Sequence, residues 1–188
     1  MQILLGIFSA FGLSASAGLN AYIPLLVVGV LAHYTNLIKL TPPWDTLSNP
    51  WILILLGILL IIEMLADKVP AVNHLNDLIQ TVVRPAAGAI VFAAGTNVVT
   101  EINPVLALAC GLLVAGSVHA VKSGMLRPMV TATTGGVGNV PVSIAEDVTS
   151  TAISFLSVLV PIVIVALVAI LIIFLLWWWA RRTSKEQA

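Results

Sequence analysis

The chain has 188 residues, of which 60% are hydrophobic and only 9% are charged. Its mean hydropathy is +1.10, whereas about a quarter of the residues in a soluble domain are charged. The composition excludes a soluble globular protein and predicts an integral membrane protein. Because the formal net charge is zero, no overall field favours nucleic acid as a partner. The single cysteine, Cys110, excludes a disulfide framework and a cysteine metal site.

Five apolar stretches are long enough, or nearly so, to cross a bilayer, which needs about 20 residues per helix. They are Ile3 to Ala32, Trp51 to Val69, Pro85 to Val99, Pro104 to Val121, and Val148 to Trp179. The first and last are too long for one simple crossing, and each contains a helix breaker. These are Gly18 and Pro24 in the first stretch and Pro161 in the last. The sequence therefore predicts an all-α polytopic membrane protein with about five transmembrane helices, the first and last being broken or kinked.

Helix starts and loops are marked by proline. Asn49 and Asn103 each precede a proline, which places a capping side chain just before a proline at the first helical position. Segments 70–84 and 122–142 each follow a charged helix end and include an Arg-Pro pair. We expect these two segments to re-enter the membrane or to dip into it.

The end of the chain is aromatic and basic. Three tryptophans at 177–179 precede a tail that contains two arginines and a lysine, a pattern typical of the cytoplasmic side of a membrane. The sequence predicts a single transmembrane domain over residues 1–180 and a short cytoplasmic tail over 181–188. With five crossings, four basic residues lie on the outer side, and Lys39 and the three basic residues of the tail lie inside. The count is therefore tied and does not decide the topology.

Two acids occur at membrane depth in the second apolar stretch. Glu63 lies about 18 Å beyond Trp51 along a helix, past the middle of a core about 30 Å thick. Asp67 follows one turn later, so the two carboxylates share a face and repel each other. Burying both carboxylates in ionised form would cost several kcal/mol. Three arrangements would avoid this cost: a protonated Glu63, a cation between the carboxylates, or a basic residue from another segment. The first two arrangements belong to transport chemistry, and the third is structural. Lys68 needs no such arrangement, because its long side chain can reach the membrane interface.

Two further polar sites each allow two interpretations. His119 and Lys122 share a helix face at a depth similar to that of Glu63, where His119 would relay protons or donate to a backbone carbonyl. Asn20 stands among small residues. It would either bond across a close helix contact or mark a broken helix that lines a cavity.

The polar, glycine-rich segment before the last apolar stretch also has two interpretations. Ser143 and Glu146 match the S-x-x-E capping box, and Asp147 adds a second acid that favours a helix N-terminus. The alternative is a site in which Asp147 or Asn139 faces the region of Glu63. The sequence leaves both open.

Four segments together resemble a known family. They are "GLNAYIPLL", "ADKVPAVNHLNDLIQTVVRPAAGA", "HAVKSGMLR" and "TGGVGNVPVSIAED". In this order they are similar to a family of small bacterial membrane proteins described as domain of unknown function 4126, and the resemblance covers nearly the whole chain. It implies a bacterial inner-membrane protein and brings no activity, substrate or site with it.

The pattern of polar residues favours transport over catalysis. No nucleophile, base and orienting group occur at a recognisable spacing, and there is no H-E-x-x-H motif, so we expect neither an enzyme nor a cofactor. The first hypothesis is a transporter or translocase that moves a small ion or an anionic, phosphate- or carboxylate-bearing substrate, a lipid included. In it a buried carboxylate couples to protons or cations. The alternative is a scaffold or assembly protein whose intramembrane charges are structural ion pairs.

Under the transport hypothesis, Glu63 and Asp67 bind a proton or cation, and basic side chains contact an anionic group, to which arginine makes bidentate bonds. The candidate residues for ion or substrate binding are Asn20, Glu63, Asp67, Lys68, Arg84, His119, Lys122, Arg127, Asn139 and Asp147. The sequence identifies no metal. The expected partners are the lipid bilayer and the substrate, without nucleic acid, and a homo-oligomer is left open.

Overall fold

The computed structural model describes residues 2–68, 70–97 and 103–160, and all regular structure in these ranges is helical. Three helices there are long and apolar enough to span a membrane: Leu75–Thr96, Pro104–Thr134 and Asn139–Val160. Shorter apolar helices accompany them, so the predicted all-α membrane fold is confirmed. The predicted kink at Pro161, the tryptophans at 177–179 and the tail at 181–188 lie outside the described residues.

The first apolar stretch forms two helices, α1 (Gln2–Leu19) and α2 (Tyr22–Tyr34). The Oδ1 of Asn20 accepts hydrogen bonds from the first two amides of α2, at 3.1 and 3.2 Å, which satisfies donors that a helix start leaves without partners. Pro24 lies in the first turn of α2, where proline is tolerated. The predicted break is thereby confirmed and is located at residues 20 and 21.

A 3₁₀ turn (Trp44–Ser48) leads into α3 (Pro50–Ala66), and α4 follows over Pro70–Asn97. Segment 70–84 is thus the first half of α4 and not a separate re-entrant segment as predicted. Pro85 lies inside this helix. It does not end the helix, because neighbouring groups in a packed bundle can satisfy the backbone that a proline frees.

The chain then continues almost without interruption to the last described helix. In order come α5 (Pro104–Val121), a π-helical turn (Lys122–Leu126), α6 (Arg127–Thr134) and α7 (Asn139–Val160). Gly135, with φ +62°, ends α6 in the left-handed conformation that glycine adopts readily. Segment 122–142, predicted to dip into the membrane, is therefore the end of one long helix, a tight turn and the start of the next.

Two capping predictions are confirmed and one is wrong. The side chains of Asn49 and Asn103 each accept a bond of 2.9 Å from the amide two residues later. Ser143 and Glu146 do not form a capping box, because α7 already begins at Asn139. Both side chains are therefore inside the helix and are directed into the bundle.

Close packing of α1, α4, α5 and α7 determines where their polar side chains meet. At the contact of α4 and α5, a Cβ on Gly111 would lie 2.4 Å from the carbonyl oxygen of Gly88, so only glycine allows this approach. Ser16 of α1 contacts the hydroxyls of Ser150 and Ser154 on α7 at 2.7 and 2.6 Å. These contacts hold the four helices close together around their buried polar side chains.

Candidate functional site: a buried charge network

Seven charged side chains from α3 and its C-terminal cap, α4, the π-helical turn, α6 and α7 are buried together, and none of them is more than 8% exposed. They are Glu63, Asp67, Arg84, Lys122, Arg127, Glu146 and Asp147, and we call this set the charge network. Ionised groups inside a membrane protein are costly unless they are paired or bind an ion. The pairing of each member therefore indicates what it can do.

Glu63 is neutralised by Arg84. The guanidinium donates to Glu63 Oε1 from Nη2 at 2.8 Å and from Nε at 3.3 Å, and both residues are at most 1% exposed. The sequence allowed three ways to neutralise Glu63: a proton, a bound cation, or a basic residue from another segment. The structure shows the third. Glu63 Oε2 is buried and lacks a hydrogen-bond partner among the described residues.

His119 bridges α4 and α5 next to this pair. Its Nδ1 lies 3.2 Å from Nη1 of Arg84, and its Nε2 lies 3.2 Å from the hydroxyl of Thr81. Because arginine only donates, Nδ1 accepts, and the proton of a neutral imidazole is on Nε2, facing Thr81. The structure thus shows bonds to two side chains in place of the expected donation to a backbone carbonyl, and the proton relay stays a prediction.

Asp67 is the most highly connected carboxylate. Its Oδ2 lies 2.9 Å from Nη2 of Arg127 and 3.8 Å from Nη2 of Arg84, and it also accepts a bond from the Ser143 hydroxyl at 3.2 Å. Its Oδ1 accepts from the Asn76 amide at 2.7 Å. The end of α3 is thus tied to α4, α6 and α7 through one side chain.

Glu146 pairs with Lys122 and shares Arg127 with Asp67. Its Oε2 lies 2.8 Å from Nζ of Lys122 and 3.1 Å from Nη2 of Arg127. Lys122 also donates to the carbonyl oxygen of Leu19 at 2.9 Å, at the point where the break in the first helix leaves carbonyls without helical partners. Sequence reasoning gave Glu146 only a capping role and missed it as a member of the site.

Asp147 differs from the other three carboxylates. Its Oδ1 accepts a hydrogen bond of 2.9 Å from the side-chain amide of Asn20, and it forms no ion pair with a described residue. Its Oδ2 is buried and lacks a hydrogen-bond partner within the described part of the chain. Asp147 therefore faces the helix break at Asn20 and not Glu63.

A cavity of about 570 Å³ lies beside Asp147, between α2, α3 and α7. Apart from Asp147 and Thr151, its lining consists of aliphatic side chains and Met64. Glu63, Asp67 and His119 do not line it. Asp147, the carboxylate residue without a cation among the described side chains, is thus one of the residues that line this space, although its Oδ2 is covered.

Two candidates from the sequence lie outside the network. Lys68 is half-buried and makes no ion pair with the described residues. Asn139 bonds with the hydroxyl of Thr131 across the turn, its Nδ2 donating at 3.0 Å. In the described ranges, no three His, Cys, Asp or Glu side chains come together as a metal site.

The charges of the network do not balance. Four carboxylates stand against two guanidinium groups and one ammonium group, and His119 is neutral in the geometry above. The half-buried Lys68 and Asp77 carry opposite charges and leave the difference unchanged. One buried negative charge is therefore uncompensated by the described side chains, and burial favours its neutralisation by a proton or a cation.

The fold and the site together define a helical membrane protein that holds a network of charged residues inside its bundle. The family described as a domain of unknown function, DUF4126, matches residues 7–181, and the chain belongs to this family. The resemblance seen in the four sequence segments is confirmed. No curated protein and no solved structure matched the chain.

Proposed function

We propose that the protein is a membrane transporter in which Asp147 binds a proton or a cation. The observation that supports this is the uncompensated negative charge of the network, together with the lack of a cationic partner for Asp147. A purely structural network would be most stable with equal numbers of opposite charges, because each unpaired buried charge costs several kcal/mol. An acid in excess in the buried interior of a membrane protein is therefore a candidate for function.

The broken first helix supports the same proposal. Discontinuous helices in transporters place polar backbone and side-chain groups beside the bound ion. Here the break places Asn20 against Asp147 and the Leu19 carbonyl against Lys122. A motion of the break in the first helix relative to both α7 and the π-helical turn would change the two contacts together, which would couple the occupancy of Asp147 to the ion pairs.

The network supports a proton or cation better than an anionic substrate. Arg84, Lys122 and Arg127 are each bonded to a carboxylate, so an anion would have to displace one of these carboxylates in order to bind. The proposal places the protein in the inner membrane of a bacterium with the C-terminus in the cytoplasm. This placement rests on the family resemblance and on the basic tail.

The proposal is tested by electrical recording from proteoliposomes on a solid-supported membrane, with sudden changes in pH or in Na⁺ or K⁺ concentration. A charge that moves on binding gives a brief current, whereas transport adds a sustained one. Asp147→Asn should lower both currents about tenfold or more, because the amide has the same shape and can still accept the bond from Asn20. Asp45→Asn, at an exposed loop position, should leave the currents unchanged.

A second function, that of a non-transporting scaffold, is favoured by one observation. The cavity beside Asp147 does not reach Glu63, Asp67 or His119, and Glu63 and Arg84 are almost completely shielded. If the parent protein gives no current under any of these changes, transport is contradicted and the scaffold is favoured. If Asp147→Asn keeps the full current, Asp147 is not the residue that binds the ion.

A further inference from the structure

The cavity beside Asp147 has an apolar lining apart from that residue and Thr151. We infer that it binds a hydrophobic amine in its protonated form, which would be the cation of the proposed transport function and so rests on that proposal. The volume, about 570 Å³, lies within the range of about 300–1,000 Å³ that is typical of small-molecule sites. Leu26 and Leu60 supply aliphatic surface, and Met64 adds an adaptable side chain.

The free carboxylate oxygen determines the charge of the ligand. Asp147 Oδ2 is buried without a hydrogen-bond partner among the described residues, and no described cation pairs with this residue. A small rotation of the Asp147 side chain would expose this oxygen to the cavity, where a bound N⁺–H donor would form a charge-assisted hydrogen bond, about twice as strong as a neutral one. A neutral ligand would leave the charge unpaired, and an anion would be repelled.

An inorganic cation fits the cavity poorly. Hard cations such as Ca²⁺ and Mg²⁺ require about six oxygen ligands or bound waters, and the polar lining consists of Asp147 and Thr151. The Thr151 hydroxyl already donates to the backbone carbonyl of Asp147 at 2.8 Å. An organic ammonium needs only one strong acceptor, and its apolar body matches the remaining wall.

The cavity is accessible from the apolar surface of the bundle. Val148 of α7 is 64% exposed, and the neighbouring lining residue Thr151 is exposed as well. Since exposed apolar side chains of a membrane bundle face lipid, an amine with an apolar body would enter from the bilayer. The Asp147 carboxylate would then retain the amine. The apolar contacts in the cavity could not do so alone, because they resemble the contacts with lipid that the amine leaves.

The test compares 4-phenylbutylamine with 4-phenylbutan-1-ol, which has an uncharged hydroxyl in place of the ammonium. Binding to the protein in nanodiscs is measured by calorimetry at pH 7, with empty nanodiscs as the blank. The amine should bind at least about tenfold more tightly than the alcohol. Asp147→Asn should remove this preference, and the exposed control Asp45→Asn should keep it.

A second variant, Met64→Trp, fills the cavity and should weaken the binding of both compounds. Equal affinity of the parent protein for amine and alcohol overturns the inference, as does a preference that survives in Asp147→Asn. If Asp147→Asn does not fold, unchanged amine binding by Met64→Trp overturns it instead. Amine binding without any current, in recordings that also include a sudden change in amine concentration, supports the site but contradicts transport. Proton currents without amine binding support transport and overturn the inference.

Discussion

At the scale of single residues, Arg84 contacts two carboxylates and one histidine. It bonds Glu63 at 2.8 Å, lies 3.8 Å from Asp67 and donates to His119. Removal of one partner of a buried ion pair costs about 3–5 kcal/mol, because the other charge is left buried and unpaired. The stability of α3 against α4 therefore depends strongly on this side chain.

The pairing of Arg84 with Glu63 is tested by a double-mutant cycle. Arg84→Met should lower the free energy of unfolding by about 3–5 kcal/mol. The double variant Glu63→Gln/Arg84→Met should be less destabilised than the sum of the single variants, because it leaves neither charge alone. Equilibrium unfolding in detergent micelles measures all three. Lys39→Met, at an exposed position, is the control and should change stability by no more than about 0.5 kcal/mol. Strict additivity of the Glu63 and Arg84 variants would contradict the pairing.

The sequence identified most members of the network but not their partners. A charged residue in an apolar stretch is a local signal, so Glu63, Asp67 and Lys122 were visible by position alone. The bond from Glu63 to Arg84 spans 21 residues and two helices, and no local pattern encodes it. Glu146 was interpreted as a cap because S-x-x-E matches locally, although the helix begins four residues before Ser143.

At the scale of helices, the sequence predicted the ends better than the connections. Asn before proline located the starts of α3 and α5, since one side chain and one amide suffice for a cap. The continuity of α4 through Pro85 could not be predicted in the same way. A packed bundle can tolerate the backbone groups that a proline frees, and the packing that allows this is not encoded near the proline.

Two glycines test the packing of α4 against α5. Gly111→Ala should destabilise the protein by about 1–3 kcal/mol, as overpacking does, because the added Cβ would lie 2.4 Å from the Gly88 carbonyl oxygen. Gly57→Ala adds the same methyl group to α3, where nothing lies within 4 Å. It should be neutral or stabilise by up to about 1 kcal/mol through helix propensity. Thermal unfolding in detergent compares them, and equal effects would show that the contact is not as close as described.

The helix break at Asn20 allows a second matched comparison. Asn49→Ala removes only an exposed cap and should cost about 1 kcal/mol. Asn20→Ala removes a cap and also the donor to buried Asp147, so it should cost about 2–4 kcal/mol. Asn20→Ser keeps a capping oxygen and should lie between the two. Chemical unfolding gives the order, and an Asn20→Ala variant no less stable than Asn49→Ala would show that the bond to Asp147 contributes nothing.

For the whole molecule, the longest helix decides how the bundle meets the bilayer. The run from Pro104 to Thr134 has 31 residues, which corresponds to about 46 Å of helix, whereas the hydrocarbon core is about 30 Å thick. Even with an average tilt of about 20° the helix would span about 43 Å along the bilayer normal. One end must therefore extend beyond the hydrocarbon. The polar, threonine-rich sequence of α6 indicates that this is the end near Thr134.

Cysteine labelling tests this placement directly. The native cysteine is first removed by Cys110→Ser, and the proteoliposomes are opened by freeze–thaw. In this background Thr133→Cys should react readily with a membrane-impermeant maleimide, because position 133 is about 44 Å from the helix start and lies in water. Leu113→Cys is the matched control: Leu113 is 66% exposed on the bundle surface, yet it lies only about 14 Å along the helix, within the hydrocarbon. Its maleimide reaction should be slower by about tenfold or more, since a thiol reacts as the thiolate and lipid disfavours that charge. Fast labelling at 113 would contradict a lipid-facing surface. Failure to label position 133 would place α6 inside the membrane and restore the membrane-dipping interpretation of residues 122–142.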